Sequence, residues 1–157
     1  MDNNGSKPDP GVAARRLIRG RDHGALATLL EGQPYVSLVA IACDHDAAPL
    51  LLLSDLAQHT KNLLVDRRVS LLFEAIAGYP DPLAGPRLSV LGHAERCDDP
   101  RAAARFAARH PSSAQYAGFG DFHLYRVVVE RGILSPASAG SPGSKAARCA
   151  SARTHQC

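Results

Sequence analysis

The sequence predicts a mainly β, α+β domain: a six-stranded antiparallel split β-barrel with peripheral helices. Three observations predict it. Six apolar runs, each of strand length, follow one another through short turn-rich links in a near-meander. The helical patterns lie outside those runs, so the helices attach to the ends and margins of one sheet. The composition is 45% hydrophobic but only 5% aromatic, without tryptophan, in 157 residues. That asks for a single core built from Leu, Val and Ala.

The elements follow in order. Residues 1–10 hold two prolines, two asparagines and a glycine and read as a disordered leader. A helix is expected from Val12, with Val12, Leu17 and Ile18 near one face and Arg15, Arg16 and Arg19 towards solvent. Ala25–Leu30 and Tyr35–Cys43 form a hairpin around the turn 31–34. In the second strand Tyr35, Ser37, Val39, Ile41 and Cys43 share one face, while Val36, Leu38, Ala40 and Ala42 share the other. Both faces are mostly apolar, which suits a barrel wall that also packs against a helix or a partner. Asp44–Pro49 is a turn with His45 exposed in it, and Leu50–Leu53 is a strand covered on both sides. A short helix ends at Leu63–Val65, and Val69–Ile76 is the next strand. The loop 78–86 carries three prolines and two glycines and delivers Arg87 to the strand Arg87–Cys97, whose apolar face is Leu88, Val90, Gly92 and Ala94. Asp99 caps a helix with Pro100 in its first position. Phe122–Glu130 is the last strand. From Ser135 the Ser/Pro/Ala/Gly composition has nothing to bury, so residues 135–157 are expected to be a disordered tail, leaving 11–134 as the folded domain.

Charge and composition exclude several function classes. Lys145, Arg148 and Arg153 of the tail account for the whole formal charge of +3, so the folded part is neutral and gives little electrostatic grip on nucleic acid. No apolar run approaches the length of a membrane span, and the polar N-terminus lacks a secretory signal, so a cytoplasmic protein without a membrane partner is expected. The four cysteines show no metal-ligand spacing, and Cys43 and Cys97 read as buried free thiols. No metal site is expected.

Leu50–Asp66 carries the chemistry. A buried strand leads through a polar turn into a helix start, and Ser54, Thr60, Lys61 and Asn62 can all donate hydrogen bonds to an anion beside unpaired backbone N–H groups. Read from the residues alone, it is either such an anion site or an ordinary helix capped by Ser54 or Asp55. His93 and His123 lie on strands, where each is either structural or near a ligand. No paired acid and base and no nucleophile arrangement stands out, so catalytic residues are not assigned.

Four stretches, Pro34–Val39, Leu52–Leu63, Asp81–Ser89 and Tyr116–Tyr125, resemble the pyridoxamine 5′-phosphate oxidase-like, FMN-binding split-barrel proteins, in particular short members of the haem-utilisation branch. The resemblance covers about Ala13 to Leu134, and the run Ser54-x-Leu-Ala-x-His-Thr-x-Asn62 is its most specific part. It implies a homodimer with FMN at the interface, bound by Ser37, Ser54, Thr60, Lys61 and Asn62, with His59 lining the pocket. Arg87 would contribute to the same site unless it forms a surface ion pair. The implied function is a flavin-dependent oxidoreductase whose small-molecule substrate is not legible; the alternative is a non-catalytic flavin- or haem-binding dimeric module. The resemblance stops at the tail, whose composition suggests a frame-shifted end, and longer haem-degrading relatives carry a further C-terminal domain.

Overall fold

The computed structural model describes residues 9–137 and the backbone of 147–148. Helix α1 (Pro10–Gly20) starts two residues earlier than predicted, because Asp9 accepts the Gly11 N–H at 2.9 Å and Pro10 supplies the fixed φ of a first helical residue. Asp9 and Pro10 therefore belong to the helix; the rest of the expected leader lies outside the described residues. Strands β1 (His23–Leu30) and β2 (Gln33–Ala40) form the predicted hairpin around Glu31 and Gly32, both with positive φ, as a two-residue turn of this twist requires. The predicted second strand is interrupted at Ile41 and resumes as β3 (Ala42–Cys43). Then come β4 (Pro49–Ser54), α2 (Gln58–Val65), β5 (Arg68–Glu74), β6 (Arg87–Arg96), α3 (Pro100–Arg109) and β7 (Phe122–Ser135).

All pairings are antiparallel, in the order β2-β1-β5-β6-β7-β4-β3. The two ends of that order, β2 and β3, are consecutive in the chain with only Ile41 between them. The sheet must therefore curl until its edges meet, and the result is the predicted split barrel. At the join the Ile41 N–H donates to the Asp22 carbonyl at 2.8 Å, and His110 Nε2 bonds the Ile41 carbonyl at 2.9 Å. The predicted strands are all present; the break at Ile41 adds one to the count. Strand β7 runs five residues past Glu130 because Arg131–Ser135 pair with Arg87–Leu91 across a bulge between Leu91 and Gly92. In the expected tail, Ala147–Arg148 (β8) pair with Ile133–Leu134, and the other residues after 137 lie outside the described ones.

The core fills the barrel with Leu26, Val39, Leu51, Leu53, Leu71, Phe73, Leu88, Val90 and Val127, and α1 closes one end with Ala14, Leu17 and Ile18. Outside the barrel, Ala102 and Phe106 of α3 cover Leu50 and Leu124. The leucine strand is thus buried on both faces, as its composition demanded: Leu51 and Leu53 point into the barrel and Leu50 under α3. Among the described residues no helix is long and apolar enough to cross a membrane. Cys43 and Cys97 are free thiols, as predicted, but only half-buried.

Candidate functional site

Helix α2 starts without a side-chain cap. Ala57 holds the extended N-cap position, and the Thr60 and Lys61 N–H groups both turn back to its carbonyl at 3.1 and 3.2 Å. The Gln58 and His59 N–H groups have no acceptor among the described residues, which leaves the positive end of the helix open. Ser54 and Asp55, the alternative caps, are used elsewhere. The Ser54 hydroxyl accepts from Leu56 N at 3.1 Å and donates to Asp121 Oδ2 at 2.8 Å, while Asp55 N donates to the Asp121 carbonyl at 2.7 Å. They build the turn before the helix.

The side chains of α2 meet the hairpin β1–β2. Asn62 Nδ2 donates to Thr28 Oγ1 at 2.9 Å, and Gln58 Nε2 donates to Asn62 Oδ1 at 2.8 Å. Thr28 and Asn62 are buried, so this chain of bonds locks the helix to the barrel. His59 Nδ1 lies 3.1 Å from Ser37 Oγ, leaving Nε2 without a partner among the described residues. Burial alone pushes the His59 pKa below its ordinary value, so the imidazole is neutral at pH 7. Thr60 is fully buried, and its hydroxyl has no hydrogen-bond partner among the described residues. Lys61 is exposed in the same turn. An orphaned buried hydroxyl, two unpaired N–H groups and a lysine together suit an oxyanion, so the α2 start fits a phosphate or carboxylate group.

Of the predicted site residues, Ser37, His59, Thr60, Lys61 and Asn62 are on or against the first turns of α2. Asn62 spends its amide on Thr28. Ser54 has its one proton committed to Asp121 and reaches a ligand only by giving that bond up. The Arg87 guanidinium turns onto its own loop, donating to the Leu83 carbonyl and to the Gly85 carbonyl at 3.0 Å, and so holds the proline-rich segment rather than a surface ion pair. His93 sits between Glu130 (2.9 Å) and Glu95 (3.0 Å), and His123 contacts Asp55 at 3.0 Å and Arg96, so both rings are engaged in side-chain contacts away from α2. Sequence reasoning missed Thr28 and Asp121. Thr28 was legible as the one hydroxyl on the inner face of β1; Asp121 carried no signal, because its partner is 67 residues away.

The orphaned hydroxyl yields a prediction. In ligand-free protein, Thr60→Val replaces an unpaired buried O–H with a methyl group and should leave stability unchanged or raise it by about 1 kcal/mol. A clear fall in melting temperature would show that the hydroxyl has a partner.

On the side of the hairpin away from Ser37 and Thr28, the outer face of the sheet is apolar and open. Leu38, Ala25, Leu72 and Ser89 are cross-strand neighbours in one row and Val36, Ala27, Ser70 and Leu91 in the next. Val36 is 63% and Leu38 75% exposed, and Leu56, Leu64 and Val65 around α2 are equally bare. This is the doubly apolar character predicted for β2, with its outer side uncovered within one chain.

Comparison with known proteins places these features. The family model of pyridoxamine 5′-phosphate oxidase matches residues 12–135. A chloroplastic non-canonical haem oxygenase of Arabidopsis thaliana, HOZ, is 38% identical over 119 residues, covering 72% of this chain and 36% of its own length. A haem-binding protein from Mycobacterium smegmatis superposes with a TM-score of 0.81 at 28% identity, over 91% of this chain and 58% of that one. HutZ, a haem storage protein from Vibrio cholerae, shares the fold at a TM-score of 0.60 and 22% identity, over 76% of this chain and 89% of that one. The chain therefore spans about a third of the length of the plant relative and little more than half of the mycobacterial one. It belongs to the pyridoxamine 5′-phosphate oxidase-like family, on the side of that family where the haem-related members lie.

Proposed function

We propose that this chain forms a homodimer through the open face of the hairpin and binds haem beside the α2 start. One observation carries the reading: His59 is neutral, half-buried and oriented by Ser37 through Nδ1, which leaves Nε2 available as an iron ligand. The haem-binding and haem-oxygenase relatives support the choice of ligand. The uncapped helix end and Lys61 would receive a propionate carboxylate, Leu64 and Val65 of α2 would cover the apolar macrocycle, and Val36 and Leu38, on the opposite face of β2 from Ser37, would cover the second copy. Haem, when bound, supplies the iron redox chemistry. The protein's part is to hold the imidazole neutral and aimed, and to keep water from the face it covers.

A second reading is favoured by the same helix end. An oxyanion-ready α2 with Thr60 and Lys61 fits the phosphate of FMN equally well, in which case the flavin would supply the redox chemistry of an oxidoreductase and Ser37 and His59 would line its ribityl side. Native mass spectrometry of the purified chain with hemin tests the first reading. The expected species is two chains carrying two hemins; a hemin-free monomer at all hemin concentrations would overturn it.

A further inference from the structure

A second charged feature lies elsewhere on the molecule. A cleft of about 320 Å³ opens between the C-terminal ends of α1 and α3 beside β3, lined by Arg19, Arg21, Arg105 and Arg109 together with Ala42 and Cys43. Basic residues at helix C-termini usually serve only to complement the dipole, and Arg19 and Arg109 stand in the last turns of their helices. Two facts exceed that role. Four guanidiniums from the ends of two helices converge on one hollow, and Arg21 Nε is buried with no hydrogen-bond partner among the described residues, which is costly for a charged donor. The neighbours leave this charge incompletely answered. Arg19 Nη2 donates to the His45 carbonyl at 2.9 Å, and Arg105 Nε lies 3.5 Å from Asp44, whose carboxylate Arg126 also holds. Asp22 is near Arg109 but is hydrogen-bonded to His23 at 2.6 Å. Arg109 itself has no ion pair among the described residues. Burial keeps the Cys43 thiol above its ordinary pKa and hence uncharged, so it does not repel an anion.

We propose that this cleft is an anion site for a small phosphate-bearing molecule, separate from the α2 start. Guanidinium forks match the tetrahedral oxygens of phosphate in pairs, and the Arg21 Nε–H is a donor that no acceptor among the described residues answers. The site stands independently of the haem reading, because none of its residues belongs to α2 or β2.

Arginine side-chain N–H signals of ¹⁵N-labelled full-length protein report on it directly. Pyrophosphate titrated at constant ionic strength should move the Arg21 Nε–H signal along a saturating curve. Arg109→Gln should weaken that binding about tenfold or more, and Lys61→Gln should leave it unchanged. The amide spectrum of Arg109→Gln guards against misfolding. A linear shift reproduced by chloride, or the same midpoint in Arg109→Gln, would overturn the site. Loss of binding in Lys61→Gln would place the anion at α2 instead. Succinate binding as tightly as pyrophosphate would overturn the assignment to phosphate.

Discussion

Gly92→Ala is expected to unfold the domain or lower its stability by about 3 kcal/mol or more. A Cβ built at Gly92 would stand 1.9 Å from the Val128 carbonyl oxygen and 3.0 Å from its carbon. The obstacle is backbone of the adjoining strand, not the end of a flexible side chain, so relief requires the β6–β7 pairing to move. That pairing is the spine of the barrel, running from Arg87–Ser135 to Arg96–Tyr125, and it is already bulged at this point. The glycine is what lets the bulge close and the sheet curl. Each kcal/mol is worth roughly 3–5 °C in melting temperature for a domain of this size, so thermal unfolding should show a drop of about 10 °C or more. Gly20→Ala is the matching control. Nothing lies within 4 Å of its added Cβ at the end of α1, and alanine there should be neutral or slightly stabilising. Equal losses in both variants would mean that glycine's flexibility, rather than the close approach, is what matters.

His59→Ala is expected to weaken hemin binding about tenfold or more, a loss of ~1.4 kcal/mol at the least, and to shift the Soret band. Ser37→Ala should have a smaller effect of the same kind, because it frees the ring without removing Nε2. The pH dependence follows from the depressed pKa of His59. Above the unfolded value of about 6.5 both folded and unfolded states hold it neutral and nothing is lost; as the pH falls below that value the unfolded state takes up the proton first, so stability declines until the folded pKa is passed. Hemin affinity should weaken in the same acidic direction, since protonation of the ring removes the ligand lone pair. A His59→Ala variant should lose that pH-dependent component. An affinity unchanged in His59→Ala would remove this histidine from the site and leave the α2 helix end as its only anchor.

The strands were legible because their apolar residues alternate against a single core: Leu88, Val90, Gly92 and Ala94 are all buried as the pattern required. Helix α3 was legible from Asp99 and Pro100, and its N-cap bond to Arg101 N at 2.9 Å follows the same rule. The identical Asp9-Pro10 signal was obscured by the polar residues around it, and α1 therefore starts earlier than expected. The break at Ile41 was not legible. An unbroken apolar run gives no local sign that the chain changes sheet edge there; tertiary closure decides it. The extension of β7 was hidden for a related reason, since Arg131 and Gly132 are poor strand residues that pair only because β6 is waiting beside them. At the site, the helix start was readable from its residue types, but the Ser37–His59 and Thr28–Asn62 contacts join positions 22 and 34 residues apart, and only the family resemblance pointed to Ser37. The arginine cleft escaped altogether because its members come from two helix ends far apart in the chain and each, taken singly, looks like a solvated surface charge.

The most direct test of the haem reading is equilibrium titration of the purified full chain with hemin and, separately, with FMN, followed by absorbance. The expected result is a saturating Soret change at one hemin per chain, tighter than any FMN binding and weakened in His59→Ala. Saturable FMN binding, together with a hemin response that does not saturate and is the same in His59→Ala, would contradict it.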